Sequence, residues 1–425
     1  MGSKTRLTAA QIGGFWGAWA GWTLDGMDSV IYALVLNPAL TELLPKSGIT
    51  PTPAHIGLAG STLFALFLAG WGMSMVWGPL ADRFGRSRVL AATIFMYAIF
   101  TGAAAMAETV WQLGIFRLLA GVGIGGEWAL AGTYVAEAWP EDRRKMGAGY
   151  LQTGYYAGFF LASALNYTVA VRYGWRAMFW CGVSPVVVAI LVMLRVKEPE
   201  RWKRKAERGE LARGKSPLRR IFEPAYRQRT IVNAILLTAA ICGLWAGTVY
   251  APTALIDLAK RGGSVQAEAV KISSLGMGLL SLGSILGCLL APVLAERIGR
   301  KRTIAVYFAG MMVCITASFG WAFYLPQGLW PFVCVLFFLG LFGGNFAVFS
   351  LWLPEQYGTR VRVTAFAFTT SFGRFIAAGV NFGLGALVSN MGTLGKPVAL
   401  TSLAFAIGLL AVPFAVETKG HVLPE

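Results

Sequence analysis

The sequence predicts an all-α membrane protein, twelve transmembrane helices arranged as two six-helix repeats. Apolar runs of about 20 residues recur along the whole chain, each long enough to cross a hydrocarbon core ~30 Å thick as a helix rising about 1.5 Å per residue. The composition agrees, with 56% of the 425 residues hydrophobic and only 13% charged, outside the usual balance of soluble domains. A third observation is a set of acidic, basic and glycine positions repeated at a constant displacement. A β-barrel would read instead as short alternating segments.

In order, the predicted spans are 14–38, 55–80, 88–107, 110–135, 146–170, 175–195, 230–257, 272–295, 303–325, 328–353, 363–388 and 397–416. The start of the chain lacks a short apolar stretch with a small-residue cleavage site, so the first span is expected to be retained. Residues 1–195 form a predicted N-terminal six-helix bundle and 230–425 a C-terminal one. Between them, 196–229 is hydrophilic and basic, and Pro199, Pro217 and Pro224 interrupt any continuous helix, so it reads as a linker. The net charge of +17 is concentrated in that linker and in alternate loops, at Arg83, Arg86 and Arg88, Arg143 to Lys145, Arg297 to Arg302, and Arg360 with Arg362. Counted from the first span, these loops share one side, the pattern of cytoplasmic loops, so nucleic acid is not needed to explain the charge. An even count then puts both termini in the cytoplasm. Cys181, Cys242, Cys288, Cys314 and Cys334 all fall in apolar spans, with no disulfide framework or metal site indicated.

The repeat can be counted. Asp82, Arg83, Gly85, Arg86 and Arg88, after span two, are matched by Glu296, Arg297, Gly299, Arg300 and Arg302 after span eight, each displaced by 214. Glu137 after span four and Glu355 after span ten lie 218 apart. Parallel repeats of this kind are a recurrent transporter design, with the binding site near the midplane where the repeats meet.

The segment 78–90, running from Gly78 through Asp82 and Arg83 to Gly85 and Arg86, resembles the signature loop of the major facilitator superfamily, and 291–304 resembles its weaker second copy. Arg117-Leu-Leu-Ala-Gly121-Val-Gly123-Ile-Gly125 is similar to that superfamily's fourth-span motif, and Pro199-Glu200 and Glu417-Thr-Lys-Gly420 to its half-end motifs. Trp22-Thr-Leu-Asp25-Gly26-Met-Asp28, Gly125-Gly-Glu127-Trp128, Glu137-Ala-Trp139-Pro140 and Gly174-Trp175-Arg176 resemble the sialate:proton, aromatic-acid and monocarboxylate:proton symporters. The best-known sialate carriers insert extra membrane segments where this chain has a plain basic linker. The signature-loop resemblance implies a gating role for these loops. The aspartate, here Asp82, would cap the start of span eleven near residue 363, and Arg86 would meet Glu137. By the repeat, Glu296, Arg300 and Glu355 are the second set. These contacts would hold the cytoplasmic side shut, an anion at a helix N-terminus being favourable.

An ionisable group at mid-membrane costs at least about 2.5–3.5 kcal/mol, so each needs a reason. Five such groups are predicted: Asp25, Asp28, Arg117, Glu127 and Arg374. Asp25 and Asp28 lie one helical turn apart on a stripe with Trp22, Ser29 and Tyr32, expected to face a cavity. Arg117 lies at a depth, roughly 10 Å, that permits a pair with Asp28. Glu127 follows ten residues later, about 80° round the same helix. Asp25, Asp28 and Glu127 are the candidate proton carriers, a purely structural ion pair with Arg117 being the alternative for the aspartates. Arg374, in mid-span eleven with Thr370 and Asn381 on its face, has no acid at its depth in its own half, so a substrate carboxylate is its natural partner, a pair across the interface with Asp25 or Glu127 being the structural alternative. Arg117, Asn381, Gln152, Tyr156, Asn345 and Trp22 are further candidates to line the pocket, although such residues also serve as ordinary interhelical contacts. Three acids against two arginines leave one negative charge that a proton would balance.

The leading expectation is proton-coupled uptake of a small organic anion of monocarboxylate, aromatic-acid or sialate type, by alternating access. It would run on the proton gradient without a cofactor, in a bacterial inner membrane, as a monomer whose partners are the anion, protons and lipid. The alternative is a proton-coupled drug or metabolite efflux antiporter, but residues 146–170 lack the proline expected of efflux carriers in span five. No nucleophile, metal cluster or phosphate loop suggests an enzyme, and His55 and His421 lie at a span edge and in the tail.

Overall fold

The computed structural model describes residues 6–77, 80, 86–125, 128, 135, 139–187, 190, 217–358, 361–421 and 424. Among these the secondary structure is entirely helical. Eight runs are long and apolar enough to cross a membrane, and the helices at Ala91–Ala104 and Val110–Ile124 are shorter apolar segments.

The N-terminal elements are α1 (Ala9–Lys46), α2 (Pro53–Met73), α3 (Arg86–Ala104), α4 (Val110–Ile124), α5 (Glu141–Leu165) and α6 (Trp175–Cys181). Their starts carry local signals. Thr8 and Gln11 form a capping box on α1, Thr52 caps α2 with Pro53 in its first turn, and Thr109 caps α4. A π-helical turn at Asn166–Ala170 continues α5.

After the basic stretch come α7 (Pro224–Val249), α8 (Ala251–Arg261), α9 (Gln266–Ile298), α10 (Arg300–Ile315), α11 (Leu329–Gly343), α12 (Phe346–Gln356), α13 (Arg362–Met391), α14 (Gly395–Leu400) and α15 (Leu403–Ala411). Three predicted continuous spans are broken, span twelve among them at Thr401-Ser402 between α14 and α15. Span seven divides at Tyr250, where Pro252 cannot donate to the helical ladder, and span ten divides at Gly344-Asn345. Hydrophobicity alone does not register such breaks, because the apolar run continues across each of them.

Close helix contact fixes the packing. A methyl group at Gly26 of α1 would lie 2.0 Å from the Tyr155 carbonyl oxygen, and one at Gly158 of α5 would lie 2.0 Å from that of Thr23. Backbone therefore meets backbone where α1 crosses α5, as small residues permit between apolar helices. The seam between N- and C-terminal elements is formed by α2 against α13 and α5 against α9. Large apolar side chains such as Trp111, Trp330 and Leu410 remain exposed on the outside, as a lipid-facing surface requires.

Candidate functional site

Residues from α1 and α4 build the first charged group. Asp25, Asp28 and Arg117 are fully buried. Arg117 Nη1 lies 4.0 Å from Asp28 Oδ2, and its guanidinium sits over the rings of Phe67 at 4.1 Å and Tyr32 at 4.9 Å. No Arg117 nitrogen makes a hydrogen bond to a described residue, and the Asp28 carboxyl has the Thr101 hydroxyl for a neighbour. The pair predicted from depth is thus present as a long contact framed by rings.

Arg374 of α13 builds the second. It is buried, its guanidinium carbon lies 4.1 Å from the Trp71 ring and 5.7 Å from the Trp128 ring, and Nε has no hydrogen-bond partner among the described residues. No carboxylate among the described residues lies within 4.0 Å of it, Asp28 being the acid on Arg117. Cation–π attraction to two indoles compensates part of the desolvation but supplies no acceptor for the fork of N–H groups. Trp22 stacks on Trp128 at 6.0 Å with planes 10° apart, and its other neighbour is Tyr155 at 4.7 Å. Trp71 continues to Trp245 at 5.9 Å, and Trp245 to Phe64 and Phe159. The arginine therefore projects into an aromatic wall made by α1, α2, α5 and α7 together with Trp128. The Nε1 atoms of Trp22 and Trp71 are buried without an acceptor.

The other predicted lining residues divide into two kinds. Ser350 donates to Gln152 Oε1 at 3.3 Å and receives Trp128 Nε1 at 3.3 Å. Tyr156 donates to the Gly343 carbonyl at 2.7 Å, an oxygen released from the helical ladder by the break that follows it. These two side chains join the N- and C-terminal elements. Asn345 and Asn381 instead bond their own helices, Nδ2 reaching Phe342 O at 3.2 Å and Ala377 O at 2.9 Å. Thr370 likewise bonds Phe366 O.

At one end of the seam, Arg300 donates from Nε and Nη2 to the Glu355 carboxylate at 3.0 and 2.9 Å, both side chains buried. Thr418 donates to the same carboxylate at 2.5 Å, and Glu296 pairs with both Arg300 and Lys145, the latter across the seam at 3.2 Å. Glu296 thus makes ion pairs. Glu417 accepts the backbone N–H groups of Arg300 and Lys301, closing the start of α10. Gly299, at φ 93°, allows this seat: a methyl group there would lie 2.6 Å from Glu417 Oε2. Burial pushes the Glu417 carboxyl upward, but backbone donors at Arg300, Lys301, Lys419 and Thr418 outweigh it and hold the group below its ordinary 4.5. At the other end of the seam, Ser61 bonds Tyr250 and Asn166 Nδ2 donates to Ser274 at 2.9 Å.

Glu127, Gly78, Asp82, Arg83, Gly85 and Glu137 lie outside the described residues, as does the side chain of Arg86. Sequence reasoning passed over Trp71 as a platform for Arg374, took Trp128 only as part of a motif and omitted Ser350. The available signal was tryptophan far from a span end, since this side chain otherwise favours the membrane interface.

A family model described as Major Facilitator Superfamily matches residues 15–381. A probable 4-methylmuconolactone transporter of Cupriavidus pinatubonensis is 28% identical over 416 residues, covering 96% of this chain and 90% of the relative. A cis,cis-muconate transport protein of Acinetobacter baylyi is 26% identical over 407 residues, covering 93% and 92%. The xylose transporter XylE of E. coli, in a partially occluded inward open conformation, superposes with a TM-score of 0.74 at 18% identity, covering 98% of this chain and 100% of that one.

Proposed function

The chain belongs to the Major Facilitator Superfamily, whose relatives here are transporters and not enzymes, and from that premise we propose that it carries a small organic anion together with a proton by alternating access. Twelve helices in two six-helix repeats, residues 1–195 and 230–425 joined by 196–229, would rock around a site between them. The proposal extends to a bacterial inner membrane with both termini cytoplasmic, and to a proton gradient as the driving force without a cofactor.

One observation carries the reading: Arg374 is buried between two indoles with no carboxylate from the described residues beside it. A guanidinium stays charged in such a place and offers a planar fork that matches a carboxylate. The anion is the missing acceptor. The names of the two relatives, a muconolactone and a muconate transporter, support an organic acid as cargo. Asp25, Asp28 and Glu127 are the proton carriers in this proposal, and Asp28, buried at 4.0 Å from Arg117, is the best supported of them. Gating belongs to the repeated loops, with Glu296, Arg300 and Glu355 in one copy and Gly78, Asp82, Arg83, Gly85, Arg86 and Glu137 in the other.

Binding to purified, monodisperse protein tests the site. Arg374→Ala should abolish anion binding, and Arg374→Lys should weaken it about ten- to a hundredfold, the loss of a charge-assisted hydrogen bond of roughly 1.5–3 kcal/mol. Near-wild-type affinity in the alanine protein would sink the assignment.

A further inference from the structure

Two side-chain carbonyls of the C-terminal elements are buried without a donor among the described residues. Asn345 and Asn381 are each fully buried, and Oδ1 of each has no partner among the described residues. The orientation of both amides follows from their neighbours. Turning either around would set Oδ1 against a backbone carbonyl, Phe342 O at 3.2 Å or Ala377 O at 2.9 Å, two acceptors in contact. The amide nitrogens are therefore committed to their own helices and the oxygens are left over. A buried acceptor without a donor is rare in folded proteins, and each instance calls for a reason.

Their placement supplies one. Asn381 follows Arg374 by seven residues on α13, which returns it to the same face about 10.5 Å along the axis. Asn345 lies in the break between α11 and α12. The next residue, Phe346, packs on Trp128 at 5.8 Å, and Trp128 lies beneath the Arg374 guanidinium. The two amides thus come from different elements of the C-terminal portion, Asn381 on the face of α13 that carries Arg374 and Asn345 next to a ring that packs on Trp128. Neither position is where packing alone would choose an amide, since an apolar side chain would leave no polar atom to satisfy.

Resting on the reading of Arg374 as a carboxylate clamp, we propose that Asn345 and Asn381 are acceptor subsites for hydroxyl or N–H groups of the cargo, so that the carrier selects monocarboxylates bearing such a donor over dicarboxylates and plain acids. A second carboxylate would face these oxygens acceptor to acceptor with no cation for it, whereas a hydroxyl donates to them. The clamp orients one end of the molecule and the amides read the other.

Competition binding to the purified full-length protein tests this, using two matched pairs, 4-hydroxybenzoate with benzoate and lactate with propionate, and terephthalate as the dicarboxylate. The wild type should favour at least one hydroxylated member over its partner about three- to tenfold, the range of one neutral hydrogen bond, and should take terephthalate worst. In Asn345→Leu or Asn381→Leu that preference should fall towards one. Equal affinity within both pairs in the wild type, or a preference that survives in both leucine variants, overturns the acceptor assignment. That failure is separable from failure of the clamp: monocarboxylates binding in an Arg374-dependent way without discrimination would leave the clamp standing. A protein that takes none of the five acids overturns both.

Discussion

Replacing Gly158 with alanine perturbs the close crossing of α5 with α1, the helix that carries Trp22, Asp25 and Asp28. The added methyl would sit 2.0 Å from Thr23 O, 2.5 Å from Met27 N and 2.9 Å from Gly26 C, all of them backbone. Carbon and oxygen in ordinary contact stand about 3.3 Å apart, so α1 and α5 must separate by roughly 1.3 Å, and overpacking of this kind costs about 1–3 kcal/mol. The displacement reaches the seam as well. Tyr156 Oη reaches Gly343 O at 2.7 Å, and about 1.3 Å more would take it beyond hydrogen-bonding range. Trp22 and Asp28 on α1 would shift relative to Tyr155. Thermal unfolding in detergent and counterflow in proteoliposomes should therefore both suffer in Gly158→Ala. Gly379→Ala is the control, because nothing lies within 4 Å of a methyl there and α13 should gain up to about 1 kcal/mol of helix propensity. If the two variants unfold and transport alike, the close crossing is not what holds this pair of helices.

Three further outcomes follow from other contacts. Glu355→Gln leaves the buried Arg300 with Glu296 and the Ala295 carbonyl, and should lower stability by about 3 kcal/mol, the low end for a broken buried pair; the double variant Arg300→Met with Glu355→Leu should be less harmful in chemical denaturation, and a milder single variant would contradict this. Because the folded Glu417 carboxyl lies below its ordinary 4.5, its stabilisation is complete above that pH and is lost as pH falls through the lowered value, so Glu417→Gln should show a flatter acid limb of melting temperature between about pH 5 and 3. An unchanged acid limb would remove Glu417 from the account. For coupling, at least one of Asp25→Asn, Asp28→Asn and Glu127→Gln should abolish accumulation driven by a pH gradient while retaining counterflow, and full accumulation in all three would place the proton elsewhere.

Much of this arrangement is legible in the residues. Span length and hydrophobicity are one-dimensional properties, so the described helices fall where apolar runs predict them; the repeat set Glu355 beside Arg360 or Arg362, whereas its carboxylate meets Arg300. The depth argument likewise brought Asp28 and Arg117 to within 4.0 Å. The breaks at Tyr250 and Gly344-Asn345 were not legible, because they depend on which carbonyls find donors from other helices, as Gly343 does in Tyr156. Nor was the aromatic platform. Trp71 and Arg374 are about three hundred residues apart, and only the packing of α2 on α13 brings an indole face under the guanidinium.

That platform gives the protein an optical property. An indole in contact with a cation emits differently from one whose cation has been neutralised, so an anion reaching Arg374 should alter the intrinsic emission of Trp71 and Trp128 without any label. The chain has fifteen tryptophans, which dilutes the signal, but the difference spectrum between wild type and Trp71→Phe isolates it. Mixed rapidly with ligand, such a protein would report occupancy of its interior in real time, separately from the slower rearrangement that opens either end of the seam.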